Sequence, residues 1–292
     1  MRQVFKDSHI NDSLVENGYV VVPFDKGDEL GAYKDRIYSL SPSDGFGAFQ
    51  KSLMHEQDYH CTFFDTNMGY RDAVFNIITD LFASTVSNLL VDYKFIQGNV
   101  FIKLPKMGYV APHQNLTVVD ESKFTSLSFW CPAQDTTAEN GTMVLVPKSQ
   151  KKFMRYRTTN ITWPLLPLFQ DYTNPFLKTI DVKKGELLII DDSIVHGTLM
   201  NNSNKERFVF HAMLAPSEAN VIYCDVKKAD KKVIVYEVPD LFWQHYLPGD
   251  QPIGLKEKET LPYKEHDLTL EQFEKELRGS KSFLKDLLAI FK

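Results

Sequence analysis

Two histidines in this 292-residue chain occupy positions that could bind a metal ion. His113 begins the run His113-Gln114-Asn115, and in an extended strand residues i and i+2 point to the same face. His113 and Asn115 could therefore reach one ion from a single strand. Alternation after Val195 places His196 and Thr198 together on one strand face. The pattern makes His113 and His196 candidate metal ligands, although each histidine taken singly could be a structural or surface residue.

An arginine follows the second histidine at a spacing that could build an anion site. The polar run Asn201-Asn202-Ser203-Asn204 suits a turn between two strands. If these four residues form a hairpin loop, Thr198 lies opposite Arg207 in the paired strands. A guanidinium group can hold a carboxylate through two parallel hydrogen bonds. The sequence thus predicts a carboxylate-binding pair beside His196.

The segment that must position these residues is rich in short β-type runs. The predicted strands span 95–104, 125–131, 142–146, 178–182, 186–200, 206–215 and 219–224. Many short strands separated by turn residues are typical of a sandwich or barrel. In the second run Ser128 and Trp130 share one face, while Leu127 and Phe129 take the other face and would pack on helices. The strand face that carries Ser128 and Trp130 would therefore present polar and aromatic side chains to the interior of the predicted core.

The remaining segments predict helices and loops around this core. Gly18–Pro23 predicts an early strand, 72–90 an amphipathic helix, 155–175 a lid or substrate loop, and 269–292 a helix outside the barrel. Without an internal repeat or a low-complexity linker, one domain over 1–292 is expected. Its parts are an N-terminal helical flank at 1–94, a β core at about 95–236 and a C-terminal extension at 237–292.

Composition and charge narrow the function classes. A net charge of −5 and a pI near 5.9 disfavour a nucleic-acid surface, which relies on clustered Lys and Arg. The polar N-terminus lacks a signal-peptide core, and no stretch approaches the roughly 20 apolar residues that cross a bilayer. We therefore expect a cytoplasmic protein without membrane contact. Its three widely spaced cysteines predict reduced thiols rather than a disulfide framework.

Six motifs follow one another along the chain: His113-Gln-Asn115, Ser128-Phe-Trp-Cys-Pro132, Glu139-Asn-Gly-Thr142, Pro147-Lys-Ser-Gln150, His196-Gly-Thr198 and Arg207. With these motifs in this order, the chain resembles the phytanoyl-CoA dioxygenase family of Fe(II)/2-oxoglutarate oxygenases from about Asn99 to Pro216. The resemblance implies a mainly β fold, a double-stranded β-helix (jelly roll, cupin-like) with flanking α-helices. The run Pro147-Lys-Ser-Gln150 departs from the family's usual Pro-Gly-Ser-His.

Site roles also follow from the resemblance, position by position. His113, Asn115 and His196 would be the iron ligands, and Arg207 with Thr198 would hold the distal carboxylate of 2-oxoglutarate. Trp130 matches a family aromatic residue beside the co-substrate. Two further residues have two interpretations each. Lys103 could add positive charge near the co-substrate or be an exposed edge lysine. His211 could line the pocket or pack in the core.

Asn115 departs from the family pattern, which has a carboxylate at this position. A neutral amide oxygen attracts a divalent cation less strongly, so metal affinity should fall. The residue could be an engineered change, a natural variant with altered chemistry, or the mark of a retired enzyme that only binds. Asn opens little room for chloride, which disfavours a halogenase. Asp120 or Glu121 could in principle replace the missing carboxylate.

The resemblance implies an oxidoreductase that hydroxylates a small organic substrate with O2 while 2-oxoglutarate is converted to succinate and CO2. A non-catalytic ligand-binding jelly roll is the alternative from another functional class. The aromatic-rich segments 156–176 and 236–246 could form the walls that select the substrate.

Overall fold

The computed structural model describes residues 2–47, 50–51, 56–153, 155–159, 175–264 and 268–278. The helices are α1 (Ser8–Asn17), α2 (Leu30–Tyr38), α3 (Met68–Leu89), α4 (Phe242–His245) and α5 (Leu270–Arg278). The strands are β1 (Tyr19–Pro23), β2 (Gln50–Lys51), β3 (Glu56–Gln57), β4 (His60–Cys61), β5 (Tyr93–Lys103), β6 (Val110–His113), β7 (Leu127–Pro132), β8 (Met143–Leu145), β9 (Lys178–Ile180), β10 (Glu186–Asp191), β11 (His196–Thr198), β12 (Arg207–Pro216), β13 (Ile222–Lys227), β14 (Lys232–Glu237) and β15 (Lys256–Pro262).

Two antiparallel sheets form the core of the protein. The large sheet has the strand order β1-β10-β7-β12-β5-β4, and the small sheet has the order β6-β11-β8-β9. From β5 to β12 the chain passes back and forth between the two sheets, with β8 and β9 paired in the small sheet, which is the arrangement of a double-stranded β-helix. A further sheet, β13-β14-β15, extends the fold. The predicted mainly β class with flanking helices is confirmed.

The outer face of the large sheet packs on the helices. Phe129 and Phe210 share one apolar cluster with Ile78 and Phe82 of α3, and the rings of Phe82 and Phe129 lie 5.5 Å apart. The helix comes close because Gly98 in β5 has no side chain; a Cβ there would lie 3.0 Å from the backbone of α3. Every second residue of β5, β7 and β12 therefore faces the helices, and the others face the small sheet.

Local capping residues define the first helices. The Asp7 side chain accepts hydrogen bonds from the first turn of α1, and Gly18 ends that helix at φ 80°. Asn67 caps α3 in the same way, so this helix begins at Met68, four residues before the predicted start. The predicted strand at Gly18–Pro23 is present as β1, and it pairs with β10 of the large sheet.

The predicted strand at 186–200 is wrong in one respect, because it is two strands in different sheets. The Asp191 carboxylate accepts hydrogen bonds from the backbone N and the Oγ of Ser193, and the Ile194 N–H donates to the Asp191 carbonyl. This tight turn ends β10 in the large sheet and starts β11 in the small sheet. We call residues 191–195 the crossing turn.

The predicted hairpin that would pair Thr198 with Arg207 is also wrong. Thr198 lies opposite Val110 and Met143, whereas Arg207 lies opposite Lys103 in the large sheet. The polar run after β11 returns the chain from the small sheet to the large sheet. The Asn201 amide holds this run in place by donating to the backbone carbonyls of Lys103 and Lys205. The run is thus a turn, but not a hairpin loop.

The C-terminal part contains three elements that the sequence did not predict, α4, β14 and β15. Phe273 of α5 stacks on Phe153 at 4.5 Å, so this helix packs outside the barrel as predicted, although 279–292 lie outside the described residues. β15 was not predicted because its Lys-Glu-Lys-Glu run carries no apolar alternation. Most of the predicted lid, 160–174, also lies outside the described residues. Within the described ranges, no helix is both long and apolar enough to span a bilayer.

Gly197 should be essential for the packing of β11 against β6. A Cβ at this position would lie 2.6 Å from the Val110 carbonyl oxygen and 2.9 Å from the Pro112 nitrogen. We expect Gly197→Ala to lower the free energy of unfolding by about 1 to 3 kcal/mol, as overpacking does, measured by urea denaturation. Gly31→Ala on α2 is the control, because nothing lies within 4 Å of its added Cβ. Equal stability of both variants would contradict the close packing.

Candidate functional site

A cavity of about 620 Å³ lies between the two sheets. Its lining includes every residue that the sequence assigned to the site. These are His113, Asn115, His196, Thr198, Arg207, Trp130, Lys103 and His211. Strands β6 and β11 of the small sheet carry His113 and His196. The side chains that face these histidines come from the inward faces of β5, β7 and β12 in the large sheet.

His113 and His196 face each other across neighbouring strands. They are register partners in β6 and β11, and their ring centroids are 4.6 Å apart. Each Nδ1 lies within hydrogen-bond distance of a carbonyl two residues earlier, Ala111 at 2.9 Å and Ile194 at 3.0 Å. A carbonyl only accepts, so each Nδ1 carries the proton, and each neutral ring keeps its lone pair on Nε2.

Burial keeps these rings neutral. Desolvation lowers the pKa of His196 to about 3, and the neighbouring His113 adds to the shift. Desolvation likewise lowers the pKa of His113, although the Ala111 carbonyl and the Asn115 side chain oppose it through hydrogen bonds. A neutral imidazole is the form that binds a metal ion. Both rings are therefore in the ligand-competent state at neutral pH.

Asn115 follows β6 and is fixed by a residue that the sequence did not identify, Asp192. The Asn115 backbone N–H donates to the Asp192 carbonyl at 2.9 Å. Its side-chain Nδ2 donates to Asp192 Oδ1 at 2.9 Å and to Ser128 Oγ at 3.1 Å. Asp192 is fully buried in the crossing turn, and burial raises the pKa of its carboxyl to about 6. The consecutive Asp191-Asp192 pair was the only sequence signal for this role.

The opposite end of the cavity carries two buried cations. Lys103 and Arg207 are register partners in β5 and β12, with 0% and 1% of their surface exposed. Lys103 Nζ donates to Thr198 Oγ1 at 2.6 Å and to the Leu199 carbonyl at 2.7 Å. Desolvation lowers the pKa of both cations, for Arg207 to about 9. The reading of Lys103 as an exposed edge lysine is therefore wrong.

Arg207 has unused hydrogen-bond donors. In the described part of the chain, neither its Nε nor its Nη1 has a hydrogen-bond partner. The guanidinium carbon lies 5.6 Å from the centroid of the Trp130 ring. Buried donors of this kind are rare in proteins unless a ligand satisfies them. The arrangement can therefore accept a carboxylate beside Trp130.

Two amide side chains of the cavity wall were missed by the sequence reasoning. Gln97 and Asn99 line the cavity from β5, on the same face as Lys103. Counting back from Lys103 in steps of two would have found them. His211 of β12 also lines the cavity, at 3.3 Å from Asn99 Nδ2 and 3.1 Å from Ser128 Oγ.

The alternative carboxylates at 120 and 121 do not reach the site. Neither Asp120 nor Glu121 lines the cavity. Glu121 forms an ion pair with the buried Arg157, with Nη1 to Oε2 at 2.9 Å, and Asp120 accepts from Ser122 and pairs with Lys123. Both acids therefore have other partners.

A second group of metal-binding atoms lies elsewhere. Ligand atoms of Asp44, His60 and Asp65 come within 4.8 Å of one another. The two ring nitrogens of His60 are engaged, Nδ1 with Asp44 at 2.8 Å and Nε2 with the Tyr70 hydroxyl at 2.8 Å. A metal ion would have to break one of these bonds. We interpret the group as a buried hydrogen-bonded cluster.

His211 should make the stability of the metal-free protein pH-dependent. Burial lowers its pKa from 6.5 to about 3, so between these values the unfolded chain binds a proton that the folded chain does not. Its contribution is fully present above pH 6.5 and is lost as the pH falls towards 3. From pH 7 to 5, wild type should lose about 1 to 2 kcal/mol more stability than His211→Gln in urea denaturation. Identical losses would exclude a buried neutral His211.

Comparison with known proteins agrees with this architecture. The family model described as "Phytanoyl-CoA dioxygenase (PhyH)" matches residues 14–209. Phytanoyl-CoA dioxygenase domain-containing protein 1 of Danio rerio is 27% identical over 140 residues, which are 45% of this chain and about half (48%) of that protein. Phytanoyl-CoA dioxygenase 1 of Oryza sativa subsp. japonica is 24% identical over 236 residues, covering 65% and 82%.

A solved structure shows the same fold. HygX from Streptomyces hygroscopicus, crystallised with nickel and 2-oxoglutarate, superposes with a TM-score of 0.51 at 14% sequence identity, covering 73% of this chain and 88% of HygX. The family match covers more than half of the chain, and the predicted resemblance is confirmed. The chain belongs to the phytanoyl-CoA dioxygenase family.

Proposed function

We propose that this protein is an Fe(II)- and 2-oxoglutarate-dependent oxygenase that hydroxylates a small organic substrate and releases succinate and CO2. One observation carries the proposal. A single cavity holds two histidines whose neutral rings keep a lone pair on Nε2 and a buried arginine whose Nε and Nη1 lack partners in the described residues. The first feature suits a divalent metal, and the second suits a carboxylate.

The metal end would be held by His113, His196 and Asn115. The two neutral imidazoles match two of the three ligands of a 2-His-1-carboxylate iron site with open positions, and the Asn115 amide oxygen would take the place of the carboxylate. Bound iron would activate O2. Two of the electrons that reduce O2 would come from the substrate, and 2-oxoglutarate would supply the other two. The protein would orient both imidazoles through the Ala111 and Ile194 carbonyls.

The co-substrate end would be held by Arg207, Lys103 and Thr198. A buried arginine without a carboxylate partner is costly, and a carboxylate ligand would offset that cost through two charge-assisted hydrogen bonds. Lys103 adds a second positive charge and fixes the Thr198 hydroxyl. The presence of 2-oxoglutarate and nickel in the similarly folded HygX supports the same pair of ligands here.

The rest of the cavity suits an apolar or aromatic substrate. Its walls are Tyr59, Phe63, Phe101, Tyr109 and Trp243. Two polar side chains beside these walls, Gln97 and Asn99, are engaged by hydrogen bonds to each other and to the Trp243 carbonyl. Within the described residues the lining contains no acidic side chain. A neutral substrate with a flat or aliphatic surface therefore fits this part of the cavity best.

A ligand-binding protein without turnover is the second candidate, and Asn115 is the observation that favours it. The neutral amide removes the charge that would anchor iron. Anaerobically loaded Fe(II) protein mixed with 2-oxoglutarate and O2 separates the two candidates. The oxygenase should form succinate above a metal-free control, even without its substrate. Binding of 2-oxoglutarate without any succinate would favour the ligand-binding protein.

Affinity for 2-oxoglutarate should depend on the guanidinium group of Arg207. We expect Arg207→Ala to weaken binding by about 2 kcal/mol or more, roughly 30-fold, in anaerobic calorimetric titrations. Arg207→Lys should also bind more weakly than wild type, because an ammonium group cannot form the bidentate contact. Arg36→Ala, which removes an exposed ion pair with Asp80, is the control. Unchanged affinity in Arg207→Ala would remove this residue from the site.

A further inference from the structure

A chain of buried hydrogen bonds runs from α4 to the metal end of the cavity. It starts at the Trp243 backbone carbonyl, which can only accept, so Gln97 must present its Nε2 there at 2.9 Å. The Gln97 Oε1 is then the acceptor for Asn99 Nδ2 at 2.8 Å. A fixed backbone group thus sets the orientation of both amides.

The same logic fixes the histidine and the serine that follow. Asn99 Nδ2 also lies 3.3 Å from His211 Nδ1, and because an amide nitrogen only donates, that ring nitrogen accepts. The proton of the neutral ring is therefore on Nε2, which donates to Ser128 Oγ at 3.1 Å. Ser128 has one proton left to give, and it donates to Asp192 Oδ1 at 2.5 Å.

The chain ends at the Asn115 amide. Asp192 Oδ1 accepts, so the end of Asn115 that faces it at 2.9 Å is Nδ2, whose second proton is directed to Ser128. Both protons of the amide nitrogen are used, and the side chain lines the cavity. Its oxygen is the atom that remains for His113 and His196.

We propose that Asp192 is a positioning residue that holds the Asn115 amide with its oxygen directed to the metal position between His113 and His196. The inference rests on the proposed function, because it gives that oxygen a metal to bind. It also accounts for a feature of the fold that stability alone does not explain. Asp192 is fully buried, and Ser128 and Asn115 both donate to one of its oxygens, Oδ1. Such a group is costly to bury.

The arrangement changes what a carboxylate at position 115 would do. Asn115→Asp would bring two carboxylate oxygens to about the 2.9 Å that now separates Asn115 Nδ2 from Asp192 Oδ1. Like charges at this distance disfavour each other, so the single substitution should improve metal binding only in part. The double substitution Asn115→Asp with Asp192→Asn, which we call the exchange variant, reverses donor and acceptor in the same contact. The amide nitrogen introduced at position 192 could then donate to the new carboxylate and to Ser128.

The test is the affinity of the metal-free protein for Co(II), a redox-stable probe for Fe(II), measured by calorimetry at one pH. Asp192→Ala frees the amide and should weaken Co(II) binding about 10- to 100-fold, as loss of a partner of a metal ligand does. The control is Asp225→Ala, which removes a buried carboxylate of β13 that pairs with Lys227 and does not line the cavity, and which should stay close to wild type. The exchange variant should bind about tenfold or more tightly than Asn115→Asp alone.

Each outcome decides between the hypotheses. Failure of wild type to bind Co(II) would overturn the proposed function together with this inference. Binding by wild type with no difference between Asp192→Ala and Asp225→Ala would overturn only the inference, as would Asn115→Asp binding as tightly as the exchange variant. If Asp192→Ala does not fold, judged by thermal unfolding, the comparison of Asn115→Asp with the exchange variant decides alone.

Discussion

The crossing turn at residues 191–195 is the constraint on which the site depends. Hydrogen bonds from Ser193 to the Asp191 carboxylate end β10 and pass the chain from the large sheet to the small one. That passage buries Asp192 beside Asn115 and starts β11 so that His196 meets His113. Because Gly197 permits close contact with β6, the two rings share one end of the cavity. This one turn thus fixes where His196 meets His113, and it also places Asp192 beside Asn115.

The electrostatics of the cavity are unbalanced in a way that ligands would correct. Lys103 and Arg207 are buried at one end, and neither forms an ion pair with a carboxylate in the described residues. At the other end, His113 and His196 are held neutral by desolvation. A dicarboxylate would offset the cost of the two cations, and a divalent cation would use the two lone pairs. Such an arrangement is preorganised for ligands at some cost to the free protein.

Much of this architecture could be predicted from the sequence, because alternation is a local signal. The inward face of Ser128 and Trp130, and the shared face of His196 and Thr198, follow from a period of two. The partners of those strands could not be predicted in the same way. The run Asn201-Asn204 has the composition of a hairpin turn, but the preference of β12 for β5 and β7 depends on burial of a whole face against the helices. Tertiary packing overrides a turn signal of this kind.

The role of Asp192 was beyond sequence reasoning for a different reason. Its neighbours Asn115 and Ser128 are 77 and 64 residues away in the chain, and only the fold shows that their polar atoms meet. Lys103 is a similar case, because its burial depends on Gly108 packing against its aliphatic stem. Asp and Lys side chains are exposed in most proteins, so the residue type alone argues against burial at positions 192 and 103.

An anaerobic crystal structure with Fe(II) and 2-oxoglutarate tests the central claim most directly. We predict iron between His113 Nε2, His196 Nε2 and Asn115 Oδ1, with the distal carboxylate of 2-oxoglutarate on the Arg207 guanidinium. Iron at the Asp44, His60 and Asp65 cluster, or 2-oxoglutarate that makes no contact with Arg207, would contradict this assignment.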